Sequence, residues 1–308
     1  MKLLLSKPRG FCAGVVRAID TVEEALKRWG APIYVKHEIV HNKHVVDGLK
    51  TKGAVFIEDL DEVPEGARLI YSAHGVSPQV RAHAKRRNLI EIDATCGLVT
   101  RVHSAVKRFA AKGYKVVLIG KRRHVEIVGT AGEAPEAVTI VESVADVERL
   151  DFESDEKLFY TTQTTLSLLD VKEIVDRLKV RYPHIETLPS SSICYATTNR
   201  QLALGQICDR TDLVLVVGDP MSSNSNRLRE IGARQNIPSH LINNEDEIDP
   251  EWLKNVSVIG LTAGASTPED VVQRIIDRLH TLGVSETEEL AYTEENVFFQ
   301  LPKEVMVH

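Results

Sequence analysis

Three short segments of this 308-residue chain align on a cysteine: FCAGVVRAID around Cys12, TCGLVTRVHS around Cys96 and ICYATTNRQL around Cys194. Cys12 and Cys96 are 84 positions apart, and Cys96 and Cys194 are 98 apart. An arginine follows five or six positions later in each segment (Arg17, Arg101, Arg200). Each cysteine comes after an extended stretch and opens a helical one. A helix N-terminus favours the thiolate through its dipole and its unpaired N–H groups. A threefold repeat that delivers three such thiols points to one shared centre. A structural zinc takes four protein ligands, usually with close Cys pairs, and neither feature is present. Three thiolates leave one coordination position open, which suits an iron–sulfur cluster with one iron lacking a cysteine, or a catalytic zinc. Cys208, in LALGQIC beside Leu204 and Ile207, reads instead as mid-helix core packing.

Other polar residues indicate what could bind at the open position. His41 (EIVHNKH), His74 (SAHGVSP) and His124 (RRHVEIVGT) lie in loops after apolar runs. Open parallel sheets bind ligands at that edge. Ser222, Ser223 and Asn224 open a helix after DLVLVVG, and Ser266 lies in TAGASTP after VSVIG. Small hydrogen-bond donors at helix starts suit an anion, phosphate above all, although Ser and Asn also cap helices for local reasons. Together these groups describe a pocket for a multiply charged anion such as a diphosphate. Glu126, two positions after His124, is a candidate proton donor if its surroundings raise its pKa. The run from Thr161 to Ser167, which includes Thr164, reads as a helix cap or a hydroxyl relay.

Apolar runs at 69–71, 115–120, 212–218 and 256–260 predict strands. They alternate with helical patterns at 14–29, 98–112, 167–181 and 268–281, with Gly30 and Gly113 as C-terminal stops. That alternation predicts an α/β chain with mainly parallel sheets. A hydrophobic content of 43% makes the chain globular, and a net charge of -6 argues against general nucleic-acid binding. The basic clusters at 85–87 and 121–123 read as solvated faces. No segment approaches the ~20 apolar residues of a membrane span. The start, MKLLLSKPRG, has only three consecutive leucines, shorter than a secretory core. A cytoplasmic protein with reduced cysteines is expected.

The ordered set FCAGVVRAI, EIVHN, SAHGVSP, DATCGLVT, HVEIVGT, TQTTLS, ICYATTNRQ, SSNSNRL and TAGASTPE runs from Phe11 to Glu269. It resembles the 4-hydroxy-3-methylbut-2-enyl diphosphate reductase family of the methylerythritol phosphate route to isoprenoids. The resemblance implies three similar α/β domains, here 1–95, 96–193 and 194–280, forming a trefoil around a central iron–sulfur site, with 281–308 a tail packing back on the body. It implies that Cys12, Cys96 and Cys194 hold one [4Fe-4S] cluster, whose fourth iron takes the substrate hydroxyl. It assigns the diphosphate to His41, His74, His124, Ser222, Ser223, Asn224 and Ser266, and contact with the substrate to Thr164 as well. Glu126 matches the proton donor and Thr164 the threonine that assists it. The implied reaction is reductive dehydroxylation to isopentenyl and dimethylallyl diphosphate, with a ferredoxin or flavodoxin supplying two electrons.

The chain departs from the family pattern at three places. Gly97 and Val125 stand where proline is usual, and Asp219-Pro220-Met221 stands where Ser-Lys-Asn is common. The last change puts an anion beside the expected diphosphate site and should weaken anion binding if it faces inward. Such departures suit a diverged second copy of the enzyme. A non-enzymatic iron–sulfur sensor on the same fold is the alternative reading, and a three-cysteine zinc hydrolase is a third. The sensor has no need for Glu126, Thr164 and the anion-binding residues, and zinc without acid-labile sulfide would mark the hydrolase.

Overall fold

In the segment after Cys12, the buried positions Val15, Ala18, Val22 and Ala25 recur at intervals of three and four, which places one apolar face on a helix. Lys27 and Arg28 occupy its last turn, where cations complement the dipole, and Gly30 follows with φ +75°. The same logic recurs along the chain. The computed structural model describes residues 1–306. The chain opens with β1 (Lys2–Lys7) and α1 (Ala13–Trp29), then runs through β2 (Ile33–Lys36), α2 (Lys43–Thr51), β3 (Ala54–Ile57), β4 (Arg68–Tyr71), α3 (Pro78–Arg86) and β5 (Ile90–Asp93). Next come α4 (Gly97–Ala111), β6 (Lys115–Ile119), α5 (Val125–Ala131), β7 (Val138–Val141), α6 (Val144–Glu148), β8 (Leu158–Thr162), α7 (Leu168–Arg181) and β9 (Glu186–Thr187). The last stretch holds α8 (Tyr195–Cys208), β10 (Leu213–Val217), α9 (Ser223–Arg234), β11 (Ser239–Ile242), β12 (Val258–Ala263), α10 (Glu269–Thr281) and β13 (Glu286–Ala291).

These strands build three all-parallel sheets, with orders β3-β2-β4-β5, β7-β6-β8-β9 and β11-β10-β12-β1-β13. The first two share one topology. The third repeats it when β1 is read as the fourth strand, with β13 added at the edge. The α/β class with three similar modules is therefore as the sequence predicts. One exchange differs: β1, expected in the segment 1–95, pairs with β12 and completes the sheet of the segment 194–280. Nothing local in KLLLSK distinguishes the two sheets, because the pairing partner lies more than 250 positions away in the chain. The stretch after 281 supplies β13, paired with β1 from Lys2↔Glu286 to Lys7↔Ala291. The strand expected at 256–260 runs instead over Val258–Ala263, because the Asp212 carboxylate takes the N–H groups of Ser257 and Val258.

The chain forms two compact units. One comprises Met1–Val16, His41–Asp47 and Tyr195–Phe298 and contains the five-stranded sheet. The other comprises Arg17–Val40, Gly48–Cys194 and the described residues from 299 on, and contains both four-stranded sheets. In the first unit, α8 is buried at Ala196, Thr197, Arg200, Gln201, Ala203, Leu204, Ile207 and Cys208, which span more than one face. In the second, Phe159 stacks on Phe109 with ring centroids 3.8 Å apart. Among the described residues, no helix is long and apolar enough to cross a membrane.

Cys208 packs against Leu4, Leu204, Ile207, Val214, Val216 and Leu228 as expected, although it ends α8 rather than lying mid-helix. Burial pushes its thiol pKa up to about 11. Cys208→Ser places a hydroxyl in this apolar cluster and is expected to lower stability by roughly 1–3 kcal/mol, read as a shift in the urea midpoint at unchanged slope.

Candidate active site

The first and third strands of each module end in register: Lys36↔Tyr71, Ile119↔Thr162 and Val217↔Ala263. The loops beyond these ends carry the candidate residues at matching positions. His41, His124 and Ser222 each lie five residues past the first-strand ends Lys36, Ile119 and Val217. Ala73, Thr164 and Ala265 each lie two residues past the third-strand ends Tyr71, Thr162 and Ala263. The carbonyls of these last three residues accept the cysteine N–H groups. Cys96 N donates to Ala73 O (3.0 Å), Cys194 N to Thr164 O (3.0 Å) and Cys12 N to Ala265 O (3.1 Å). Every cysteine is therefore held by the same peptide of its own sheet.

All three cysteines are half-buried, and none is in a disulfide. Cys96 is the N-cap of α4 and makes no side-chain capping bond. The carbonyls of Cys12 and Cys96 accept from Val16 N and Thr100 N, the first helical bonds of α1 and α4. Cys194 directly precedes α8. An iron–sulfur cluster needs reduced, partly accessible thiols beside groups that tolerate negative charge. Each of the three thiols meets these needs at its own helix start.

In the unit with the four-stranded sheets, Glu126 lies in the first turn of α5 and is 2% exposed. Thr164 N donates to Glu126 Oε1 (2.7 Å) and Thr164 Oγ1 to Oε2 (2.9 Å). Burial raises the Glu126 pKa above the usual carboxylate range, while the two Thr164 donors and the nearby His103 oppose the shift. His124 caps α5: its Nδ1 accepts from Glu126 N (3.2 Å), so a neutral ring carries its proton on Nε2 and presents a donor there. The His74 ring meets those of His124 and His37 edge-on, with both centroid separations 5.9 Å. Gly75 follows with φ +76°, and a Cβ there would lie 3.1 Å from the His103 ring, so the loop after His74 requires glycine. His103 is itself held by Glu133 (Nδ1 to Oε1, 2.9 Å).

In the other unit, Ser222 caps α9 by accepting from Ser225 N. Asn224 Oδ1 accepts from Ala265 N (2.8 Å), which parallels Glu126 on Thr164. Asn224 is 3% exposed, and its Nδ2 has no partner. A buried amide donor without an acceptor suits a hydrogen-bonding ligand, since such groups are costly to leave unpaired. Ser223 begins α9. The Ser266 hydroxyl donates to His41 O (2.9 Å) and so fixes the loop that carries His41. Ser225 is structural: its Oγ lies where a Cβ on Gly218 (2.2 Å) or Gly264 (2.1 Å) would fall. Asp219 is 8% exposed, and its two oxygens each accept a backbone N–H, from Lys43 (3.0 Å) and Met221 (2.8 Å). Sequence reasoning missed this bracing role, along with His37 and His103. The equal spacing from strand ends is the signal that relates these loops, and it emerges only once the strand ends are known.

A family model described as LytB protein matches residues 3–280. The 4-hydroxy-3-methylbut-2-enyl diphosphate reductase of Protochlamydia amoebophila (strain UWE25) is 72% identical over 306 residues, covering 99% of this chain and 98% of that protein. That of Chlamydia pneumoniae is 62% identical over the same coverage. The solved structure of E-1-hydroxy-2-methyl-but-2-enyl-4-diphosphate reductase from Plasmodium falciparum superposes with a TM-score of 0.97 at 51% identity, covering 99% of this chain and 96% of that chain.

Asn224→Asp keeps the acceptor for Ala265 N and replaces the unpartnered donor with an anion. Inorganic diphosphate, followed by calorimetry, is expected to bind about tenfold or more weakly, the scale of one lost hydrogen bond to a charged group.

Proposed function

Because the chain belongs to the LytB family, we propose that it catalyses the reductive dehydroxylation of (E)-4-hydroxy-3-methylbut-2-enyl diphosphate to isopentenyl and dimethylallyl diphosphate. The names of the relatives support the substrate. The observation that carries the reading is the Glu126–Thr164 pair: a buried carboxyl whose pKa is raised, held through both oxygens by one threonine. A sensor has no need of a buried acid on a hydroxyl partner.

In this proposal Cys12, Cys96 and Cys194 hold one [4Fe-4S] cluster per chain. When bound, the cluster supplies two electrons, one at a time, and a Lewis-acidic iron for the leaving oxygen. The diphosphate accepts hydrogen bonds from His41, His74, His124, Ser222, Ser223 and Asn224, and from Ser266 once its hydroxyl turns away from His41 O. That grip fixes the hydroxyl end of the substrate, a positioning effect. Glu126 holds the proton that the departing hydroxyl takes as the C–O bond breaks, so the oxygen leaves as water. The Thr164 hydroxyl both accepts and donates, so it orients the Glu126 carboxyl and passes a proton through the same contact. Two electrons and a second proton, added at either end of the allylic fragment, give the two products. The Asp219 carboxylate is turned onto the N–H groups of Lys43 and Met221, so the Asp219-Pro220-Met221 departure braces its own loop. The electron donor is a small ferredoxin or flavodoxin, for which the exposed Lys85, Arg86 and Lys121 to Arg123 offer positive surface. The reaction takes place in the cytoplasm.

The test is anaerobic. Protein reconstituted with iron and sulfide is mixed with a reduced viologen dye and the substrate, and dye oxidation is followed. Rapid oxidation with both isoprenoid diphosphates formed is expected. No oxidation from fully loaded protein would point to another substrate or a sensing role. Glu126→Gln is expected to keep the iron and sulfide content and to lose about 100-fold or more in turnover. The same variant has a pH signature. A carboxyl with a raised folded pKa stabilises the fold below its unfolded value and loses that contribution as pH rises through the folded value. Thermal unfolding of the parent should therefore worsen relative to Glu126→Gln as pH rises above the ordinary Glu range.

A further inference from the structure

The arginines that recur after the three cysteines each hold the loop ahead of a different cysteine. Arg17, on the helix after Cys12, donates from Nη1 to Thr95 O (2.9 Å) and from Nη2 to Asp93 O (3.1 Å), the residues just before Cys96. Its Nε takes Gln300 O (2.7 Å). Arg101, on the helix after Cys96, donates from Nη1 to Ser190 Oγ (2.9 Å) and from Nη2 to Ser191 O, in the loop before Cys194. Arg200, on the helix after Cys194, donates from Nη2 to Gly10 O (2.7 Å) and Phe11 O (3.4 Å), and from Nε to Gly10 O (3.2 Å), just before Cys12. Arg200 is 1% exposed, and Glu295 balances its charge (3.0 Å). The pattern is cyclic: the helix of each cysteine carries the clamp for the next.

We infer that Arg17, Arg101 and Arg200 are positioning residues for the three thiols, each fixing the peptides ahead of one cysteine and coupling that loop to the helix of another. The inference rests on the three-cysteine cluster reading. A guanidinium is suited to the task because its planar fork spans two acceptors at once, which an ammonium cannot do in fixed geometry. A cysteine loop offers unpaired carbonyls that need donors, and the fork supplies them without a side chain competing for the metal. Groups that orient metal ligands in this way typically matter about as much as a tenfold to hundredfold change in metal retention.

The test compares the parent with Arg101→Lys and Arg101→Gln after anaerobic reconstitution, with Arg17→Lys repeating it at the Cys96 loop. Three quantities are read: iron and sulfide per chain, the rate at which the cluster absorbance bleaches in air, and the electron paramagnetic resonance line shape of the reduced cluster. The unfolding temperature of the metal-free protein is the control. Both Arg101 variants are expected to bleach about tenfold faster and to show a broadened line shape, with the metal-free protein unfolding within a few degrees of the parent. Lysine should not rescue, since charge without the fork is not enough. Parental bleaching and line shape in folded variants would overturn the inference. So would full rescue by lysine, or bleaching that merely tracks a lowered unfolding temperature. A parent that takes up no iron and sulfide overturns the cluster reading itself, a result visible without any variant.

Discussion

One hydrogen bond, made three times, sets the frame: the cysteine N–H donates to the carbonyl two residues past the end of its sheet's third strand. The same residue uses its own N–H for the chemistry beside it. In one module Ala73 N reaches Ile39 O, in the next Thr164 N reaches Glu126 Oε1, and in the third Ala265 N reaches Asn224 Oδ1. A single residue after each third strand therefore ties a cysteine to a neighbouring group. The three modules share a backbone and differ in what occupies that second contact: a carbonyl, an acid or an amide. Glu126 and Asn224, each seven residues past the end of a first strand, are thus the same structural position filled by different side chains.

The contrast between Glu126 and Asp219 shows how burial is resolved in two ways. Both carboxyls are nearly inaccessible. Asp219 accepts two backbone N–H bonds, one from Lys43 at the start of α2 and one from Met221 in its own loop, and acts as a brace. Glu126 also has a donor on each oxygen, yet burial outweighs them and raises its pKa. Gly97 follows similar reasoning at the backbone level. The Phe299 ring lies 3.4 Å from where a Cβ at Gly97 would sit, so the departure from proline beside Cys96 coincides with a ring packed against the start of α4.

Much of this was legible in the chain itself. The periodicity of the helices after Cys12 and Cys96, the cysteine repeat with its trailing arginines, and the polar loops after apolar strands are local patterns that sequence carries directly. The exchange of β1 was not legible, because strand partners are chosen by non-local pairing and KLLLSK fits either sheet. Nor could the sequence show that Asp219 turns inward onto Lys43 N, or that the arginines skip to the next cysteine's loop. Those facts depend on where three chain segments meet, and composition and spacing do not encode that.

We propose that the three cysteines serve one cluster with an iron left for substrate. Mössbauer spectroscopy of anaerobically loaded protein tests it most directly. The account predicts one iron subsite distinct from the three cysteine-bound ones, and a shift of that subsite alone when the diphosphate substrate is added. Four equivalent irons that ignore the substrate, or a protein that retains zinc and no sulfide, would contradict it.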